Sequence, residues 1–424
     1  MSDSELSPTP DQHRLLPLLG WLVGSLFFFY AWILRVSPSV MVEDLMRDFA
    51  VGGAILGNLS ALYFYGYAGM QIPVGLLLDR FGPRRLMTLA AALVAVACLL
   101  FAASASLATA SLMRFLIGAG CAFSLVGAMA VAGQWFARER FALLAGLAMM
   151  FGMVGGIFGQ APLRMAVNAS DWRTTMGSVA VIGFVLMVAA WAFVRDRHRG
   201  SGGLGAVLVG LKRVASNRET WLNAVAGLGS TGPLLAFAGL WGVPYLQAVY
   251  DIDRVTAGSV TSVTFIGWGA GAPLIGWLSD HTGNRRKPLI AGLVVSAISL
   301  AAILYVPGIP LWGVGLLCFA IGFGGSAQIV CFALVREHNP PQLSGTGIGM
   351  VNALVTGAGA LFQPMVGWLL DLAWDGVLVE GARVYAVAAY ELAFGVLVAG
   401  CVIGILCAMA VRESGSLAAG EALG

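Results

Sequence analysis

Twelve apolar runs divide the chain, and short polar stretches separate them. They cover about 15–41, 53–78, 86–106, 108–134, 141–166 and 172–194, then 221–249, 256–279, 288–306, 310–335, 343–370 and 384–410. A helix crosses the hydrocarbon core with about 20 apolar residues, and these runs have that length. They are too long, and not alternating enough, for the strands of a membrane barrel. The pattern predicts twelve spanning helices, numbered 1 to 12 in chain order. The longest polar interruption is 195–220, which opens Arg-Asp-Arg-His-Arg and carries a short amphipathic piece from Leu204 to Val214. That piece reads either as a surface-lying helix tying two halves together or as a plain basic linker. The expected organisation is a tail at 1–14, a six-helix bundle at 15–194, the linker at 195–220, a second bundle at 221–410 and a tail at 411–424.

The polar punctuation repeats. Gly75-Leu-Leu-Leu-Asp79-Arg80-Phe-Gly82-Pro-Arg84-Arg85 follows helix 2, and Gly276-Trp-Leu-Ser-Asp280-His-Thr-Gly283-Asn-Arg285-Arg286 follows helix 8. Both fit G-x-x-x-D-x-x-G-x-R-R, and residue 280 minus residue 79 gives an offset of 201. Helices 5 and 11 are both glycine-rich, and Gly347 lies 201 residues after Gly146. Matched features at one offset predict a duplicated bundle, two similar halves related by a pseudo-two-fold axis.

Composition fixes the solvent. The chain is 59% hydrophobic and 11% charged, against roughly 25% charged in a soluble domain. Its 57 glycines suit close helix packing in lipid. Placing the N-terminus and the even-numbered loops together gathers every Lys and Arg on one side except Arg35, Arg47, Arg114, Arg164, Arg173, Arg254 and Arg383. That side is expected to be cytoplasmic, with both termini inside and the protein in an inner membrane. The first apolar run lacks a small-residue cleavage site and reads as retained. The six cysteines lie in apolar runs without ligand spacing, and His13, His198, His281 and His338 fall in polar ends or loops. No metal, cofactor or nucleic-acid partner is expected. No Ser-His-Asp, zinc or paired-carboxylate set sits at one depth, so an enzyme is not expected.

Six helices, a basic linker, six more helices and the doubled loop resemble the major facilitator superfamily along nearly the whole chain. The resemblance implies an all-α membrane fold of twelve helices, working as a secondary active or facilitative transporter by alternating access. It implies a gating role for Asp79, Arg80, Arg84 and Arg85, and for Asp280, Arg285 and Arg286. These would latch the two halves at the cytoplasmic face when the outside is open. It also implies that helices 1 and 4 line the central cavity. His281 stands where the first loop has Arg80, and the Gly-Pro pair of the family's antiporter signature is missing from helix 5.

Ionisable groups inside a membrane are costly and mark function by default. Arg114, in Arg114-Phe-Leu-Ile-Gly118-Ala-Gly120, resembles the family's helix 4 pattern, and Arg35 closes helix 1 at a similar depth. Both read as an anion site, since a planar guanidinium grips both oxygens of a carboxylate. Either reads alternatively as an outer-interface anchor. Tyr30, Tyr63 and Tyr245 are the expected neighbours of the pair, with Asn352 and Gln328 as further lining candidates. Glu391 is the only acid well inside an apolar run, in helix 12; a coupling proton is a further candidate partner, though no acid stands in helix 1 or 4 to carry it. The reading is a monomeric carrier of a small organic anion or zwitterion, such as a carboxylate, amino acid or short peptide-like solute. A drug or metabolite exporter of the same fold is the alternative, and a non-transporting membrane sensor a remote one.

Overall fold

The computed structural model describes residues 12–196 and 204–413. The tail up to residue 11, the linker segment 197–203 with Arg197, His198 and Arg199, and the tail from 414 lie outside the described residues. The described residues form a bundle of twelve helical rods. In the first half they are Gln12–Val36, Gly53–Phe81, Pro83–Ala102, Leu107–Trp135, Arg138–Phe158 continued by Ala161–Ala169, and Trp172–Phe193. In the second half they are Arg218–Tyr250, Arg254–Thr282, Arg286–Tyr305, Leu311–Glu337, Ser344–Leu372 and Val387–Ala410. Ten of these are long and apolar enough to cross a membrane, or eleven with the bent helix 5 counted as one span. Helix 8 has the length, at 29 residues, but its sequence is diluted by Gly, Ser and Thr.

Helix pairing follows the duplication. Helix 3 packs on 6 as 9 packs on 12, 2 on 4 as 8 on 10, and 1 on 5 as 7 on 11. Between the halves, helix 2 lies along helix 11 and helix 5 along helix 8. The two signature loops are anchored alike. Asp196, just past helix 6, accepts the backbone N–H of Arg84 at 2.9 Å, and Glu413, just past helix 12, accepts that of Arg285 at 2.5 Å. Each carboxylate caps the amino end of the helix three earlier in the chain, where backbone donors lack partners and the helix dipole is positive.

Four helices are interrupted where the sequence predicts continuous rods, helix 4 by a single turn residue at Ala122. Helix 5 bends by 40° after Gly159–Gln160, because Pro162 can begin a helix but cannot continue one. Helix 7 widens into a π segment at Pro233–Trp241. Such widening frees carbonyls. Two are taken by amides from neighbouring helices: Gln160 Nε2 donates to Ala238 at 2.7 Å, and Gln363 Nε2 to Leu235 at 2.7 Å. Helix 10 tightens to a 3-10 turn at Ser326–Gln328. The amphipathic piece of the linker is helical over Leu204–Ala215. Asn217 ends the linker by capping helix 7, and its Nδ2 donates to the His338 carbonyl at 2.7 Å.

Beyond the twelve rods, one face carries a short helix at Val42–Phe49 and a two-residue hairpin pairing Leu378–Val379 with Ala382–Arg383. These lie opposite the signature loops. The two faces are called below the signature face and the far face.

Candidate functional site

A cavity of about 610 Å³ opens between helices 5 and 8 and reaches the signature face at Asp280. Its inner end adjoins a recess of about 70 Å³, with which it shares Met149, Met153, Trp268 and Gln328. Helices 1, 2, 4, 5, 7, 8, 10 and 11 contribute to the recess wall, so both halves build it.

Arg35 lines the recess. It is the last basic residue of helix 1 and is only 5% exposed. Its guanidinium carbon lies 4.2 Å from the Trp32 ring centre and 4.7 Å from that of Tyr67. Aromatic faces attract the cation without accepting a full hydrogen bond from it, and the Tyr63 and Tyr67 hydroxyls add an electrostatic attraction. Nε and Nη2 make no hydrogen bond. Buried donors in folded proteins are almost always satisfied, so this side chain calls for an acceptor.

Arg114 stands behind. It is fully buried and reaches neither the cavity nor the recess. Nη1 donates to the Leu34 carbonyl at 2.8 Å, fixing the turn of helix 1 that presents Arg35. Both guanidinium carbons lie 5.4 Å from the centre of the Tyr63 ring. Tyr63 stacks on Tyr67 and donates to the Ala31 carbonyl, so it supports the recess without lining it.

The remaining lining candidates divide. Asn352 lines the recess and donates to Gln71 Oε1 across the two halves at 2.9 Å. Gln328 lines both recess and cavity from its 3-10 turn, with Oε1 unpartnered. Tyr30 is not beside the Arg pair's open side; it is buried, with its hydroxyl close to Gly183 of helix 6. Tyr245 lies in the second half's aromatic core against Phe237, Tyr390 and Phe394, and donates to the Ile303 carbonyl. A tyrosine in a helix that is apolar all round gives no sign of which way it faces, which is why both were expected at the cavity. Glu391 does not line the cavity, and its carbonyl accepts from Tyr305.

Toward the far face the site is sealed. Gln160 joins four helices: Oε1 accepts from Ser39 and Thr261, while Nε2 holds the freed Ala238 carbonyl. Trp32 meets Phe265 edge-on at 5.9 Å. Above them Arg254 pairs with Glu43 across the halves, and Arg164 with Asp44 at 2.7 Å. Asp371, at the end of helix 11, accepts the N–H groups of Gly53 and Ala54, each at 2.9 Å. It thereby caps helix 2 from the other half. Arg383 and the Tyr385 hydroxyl both donate to its carboxylate. A Cβ at Gly57 would lie 2.5 Å from the Gln363 carbonyl oxygen, and one at Gly367 would lie 2.1 Å from that of Gly53. Glycine is required here for two backbones to touch.

The signature face is open. Asp79 makes no hydrogen bond or ion pair among the described residues, and Arg85 is exposed. Arg80 lies over the neighbouring Phe81. Arg84 lies over Trp191 and donates to its carbonyl, within its own half. Arg285 pairs with Asp280 and Glu337, and Arg286 donates to the Met409 carbonyl, all within the second half. No ion pair joins the two signature loops in this conformation among the described residues.

Sequence reasoning missed Gln160 and Asp371. Asp371 carried a signal: Gly367-Trp-Leu-Leu-Asp371 has the same Gly-x-x-x-Asp spacing as Gly75 to Asp79 and Gly276 to Asp280. Gln160 carried none, since its role depends on a carbonyl in a π segment, 78 residues away.

Comparison with known proteins agrees with this geometry. The chain is 25% identical over 374 residues to the uncharacterized transporter YybO of Bacillus subtilis, covering 80% of this chain and 84% of that one. It is 24% identical to a probable sulfoacetate transporter of Cupriavidus necator, covering 82% and 86%. It is 25% identical to the gentisate transporter of Corynebacterium glutamicum, covering 84% and 82%. Among solved structures, a bacterial homolog of the human lysosomal transporter Spinster, inward-facing and unoccupied, superposes with a TM-score of 0.75 at 16% identity, covering 93% and 96%. The family model described as Major Facilitator Superfamily matches residues 21–362 and again 225–420, and this multi-pass membrane transporter belongs to that superfamily.

Proposed function

We propose that the protein carries a small organic anion or zwitterion bearing a carboxylate across an inner membrane by alternating access. Arg35 is the observation that carries this reading. A buried cation with two unpartnered donors, at the blind end of a cavity open to one face, is unfavourable until an anion fills it. Arg114 keeps helix 1 in place and adds positive potential behind Tyr63. Relatives named for gentisate, sulfoacetate and L-galactonate support the anion reading. The units at 15–194 and 221–410 would rock about the recess, joined by the linker at 195–220. With the arginine-rich face and both termini in the cytoplasm, the conformation described is open inward. Asp79, Arg80, Arg84 and Arg85, with Asp280, Arg285 and Arg286, would latch that face in the opposite state. The recess is complete within one chain, which suits a monomer.

Uptake into proteoliposomes tests this. Wild type should accumulate or exchange an organic acid identified by thermal-shift screening, because bound ligand stabilises by mass action. Arg35→Gln should lower uptake by about thirtyfold or more, the cost of removing one partner of a desolvated charge pair. Equal uptake by Arg35→Gln and wild type would rule the anion site out.

A further inference from the structure

The chemistry of the recess is narrower than a general anion site. Among the described residues that line recess and cavity, Arg35 is the one cation and Asp280, at the mouth, is the one acid. The remaining polar partners are neutral: Tyr67, Thr231, Thr356, Asn352 and Gln328 in the recess and Ser326 in the cavity. A second carboxylate on a ligand would be desolvated with no cation to meet it. An ammonium would be desolvated with no carboxylate to meet it. Each would be strongly unfavourable in so enclosed a site. Most of the rest of the recess wall is apolar, with Phe28, Leu125, Leu234, Leu235 and Val355 beside the larger rings. Trp32 and Tyr67 flank Arg35, and Trp268 stands with Met149 and Met153 where recess joins cavity. Aromatic rings stack on such walls, and thioethers pack favourably against ring edges. Gln328 is only 6% exposed, and its unpartnered Oε1 is an acceptor that a hydroxyl can satisfy.

We infer that the substrate is a singly charged aromatic hydroxy-acid: one carboxylate for Arg35, a planar ring for the Trp32–Trp268 wall and a hydroxyl donor for Gln328. This deepens the anion-carrier reading and rests on it. It excludes zwitterions and diacids, which that reading admits.

The test is isothermal titration of the purified full-length protein with four probes: 3-hydroxybenzoate, 3-hydroxybenzamide, phenylalanine and glutarate. The hydroxybenzoate should bind at least about thirtyfold more tightly than each of the others, the size expected when one buried charge is left unpaired. Arg35→Gln should lose that binding, and Arg35→Lys should keep part of it, since charge remains but the planar fork is lost. Gln328→Leu should weaken hydroxybenzoate by about tenfold while leaving plain benzoate, titrated as an added control, unchanged, a split that general misfolding would not produce. Glutarate or phenylalanine binding as tightly as hydroxybenzoate, with loss in Arg35→Gln, would overturn the aromatic monoacid class and leave the anion carrier standing. So would the absence of hydroxybenzoate binding at millimolar concentration while another acid binds. The amide binding as tightly as the acid, with Arg35→Gln unaffected, would overturn both. No binding by any probe would overturn the substrate class.

Discussion

Helix 2 meets helix 11 differently at its two ends. At the far face Gly53, Gly57 and Gly367 bring the two backbones into contact, and the Asp371 carboxylate caps helix 2 from the opposite half. At the signature face Gly69 and Gly75 of helix 2, and Gly345 and Gly349 of helix 11, face open space, and Asp79 has no partner among the described residues. Helices 5 and 8 repeat the contrast: Gly258 approaches Ala161 at the far face, while Gly146 and Gly276 border the open cavity. Each aspartate ends its helix on a Gly-x-x-x-Asp spacing, and the two helices run antiparallel. One end is thus an assembled gate and the other the same parts unassembled. Closing an end takes glycines that let backbones touch and a carboxylate that meets a helix amino terminus.

The largest effect should come from filling the backbone contact. Gly57→Val places side-chain atoms against the Gln363 carbonyl, and overpacking against backbone that cannot yield costs about 1–3 kcal/mol or more. Transport should fall by more than about tenfold, and cysteines placed near Ser39 should become accessible from the far side. Gly349→Val, facing open space, should leave the thermal stability of this conformation unchanged; an equal loss in both variants would break the comparison.

Asp371→Asn comes next. It keeps an acceptor at the helix 2 terminus but removes the charge, and a partly buried charge at a helix end contributes up to about 2 kcal/mol. Spin-label distances across the far face should shift toward the open population by about tenfold. An unchanged distribution would show that the glycines alone hold this gate.

Asp79→Asn sharpens the contrast from the other side. Having no partner in this conformation, it should leave thermal stability within about 0.5 kcal/mol of wild type, as surface substitutions usually do. Transport should still fall, because the signature face would close less well. Crosslinking between cysteines on helices 2 and 11 at that face should become slower. Normal crosslinking and normal transport together would remove the latch role.

Two smaller effects remain at the far face. Arg254→Gln breaks a partly exposed pair with Glu43, worth about 0.2–1 kcal/mol, and its effect on far-side accessibility should fade at high salt. Asp171 and Asp253 cap helices 6 and 8, and hydrogen bonds from Thr174 and Thr256 hold their carboxyls below the usual range. Depressed folded-state values mean the caps contribute fully above the unfolded value near about 4 and are lost as pH falls through the lower folded value. Melting temperature should therefore be insensitive to these groups between about pH 7 and 5 and fall only in acid. Sensitivity to Asp171→Asn at pH 7 equal to that in strong acid would contradict the charged-cap account.

The sequence by itself determined the medium, the helices and the duplication. Long apolar runs and the doubled signature at an offset of 201 are local or periodic features, legible without knowing any neighbour. It also marked Arg35 and Arg114 as costly groups that need a reason. Only the tertiary structure decided which of the two meets the cavity. Helices 1 and 4 are apolar around their whole circumference, so no polar stripe reveals how each is rotated, and Arg114 turns to the Leu34 carbonyl while Arg35 turns to the recess. The same rotational blindness hid Tyr30 and Tyr245 in the cores of their bundles. Gln160 and Asp371 were out of reach for a second reason: their partners, a freed carbonyl in helix 7 and the amino terminus of helix 2, are far away in the chain. A backbone group's need for a partner becomes visible only when the fold brings that partner to it.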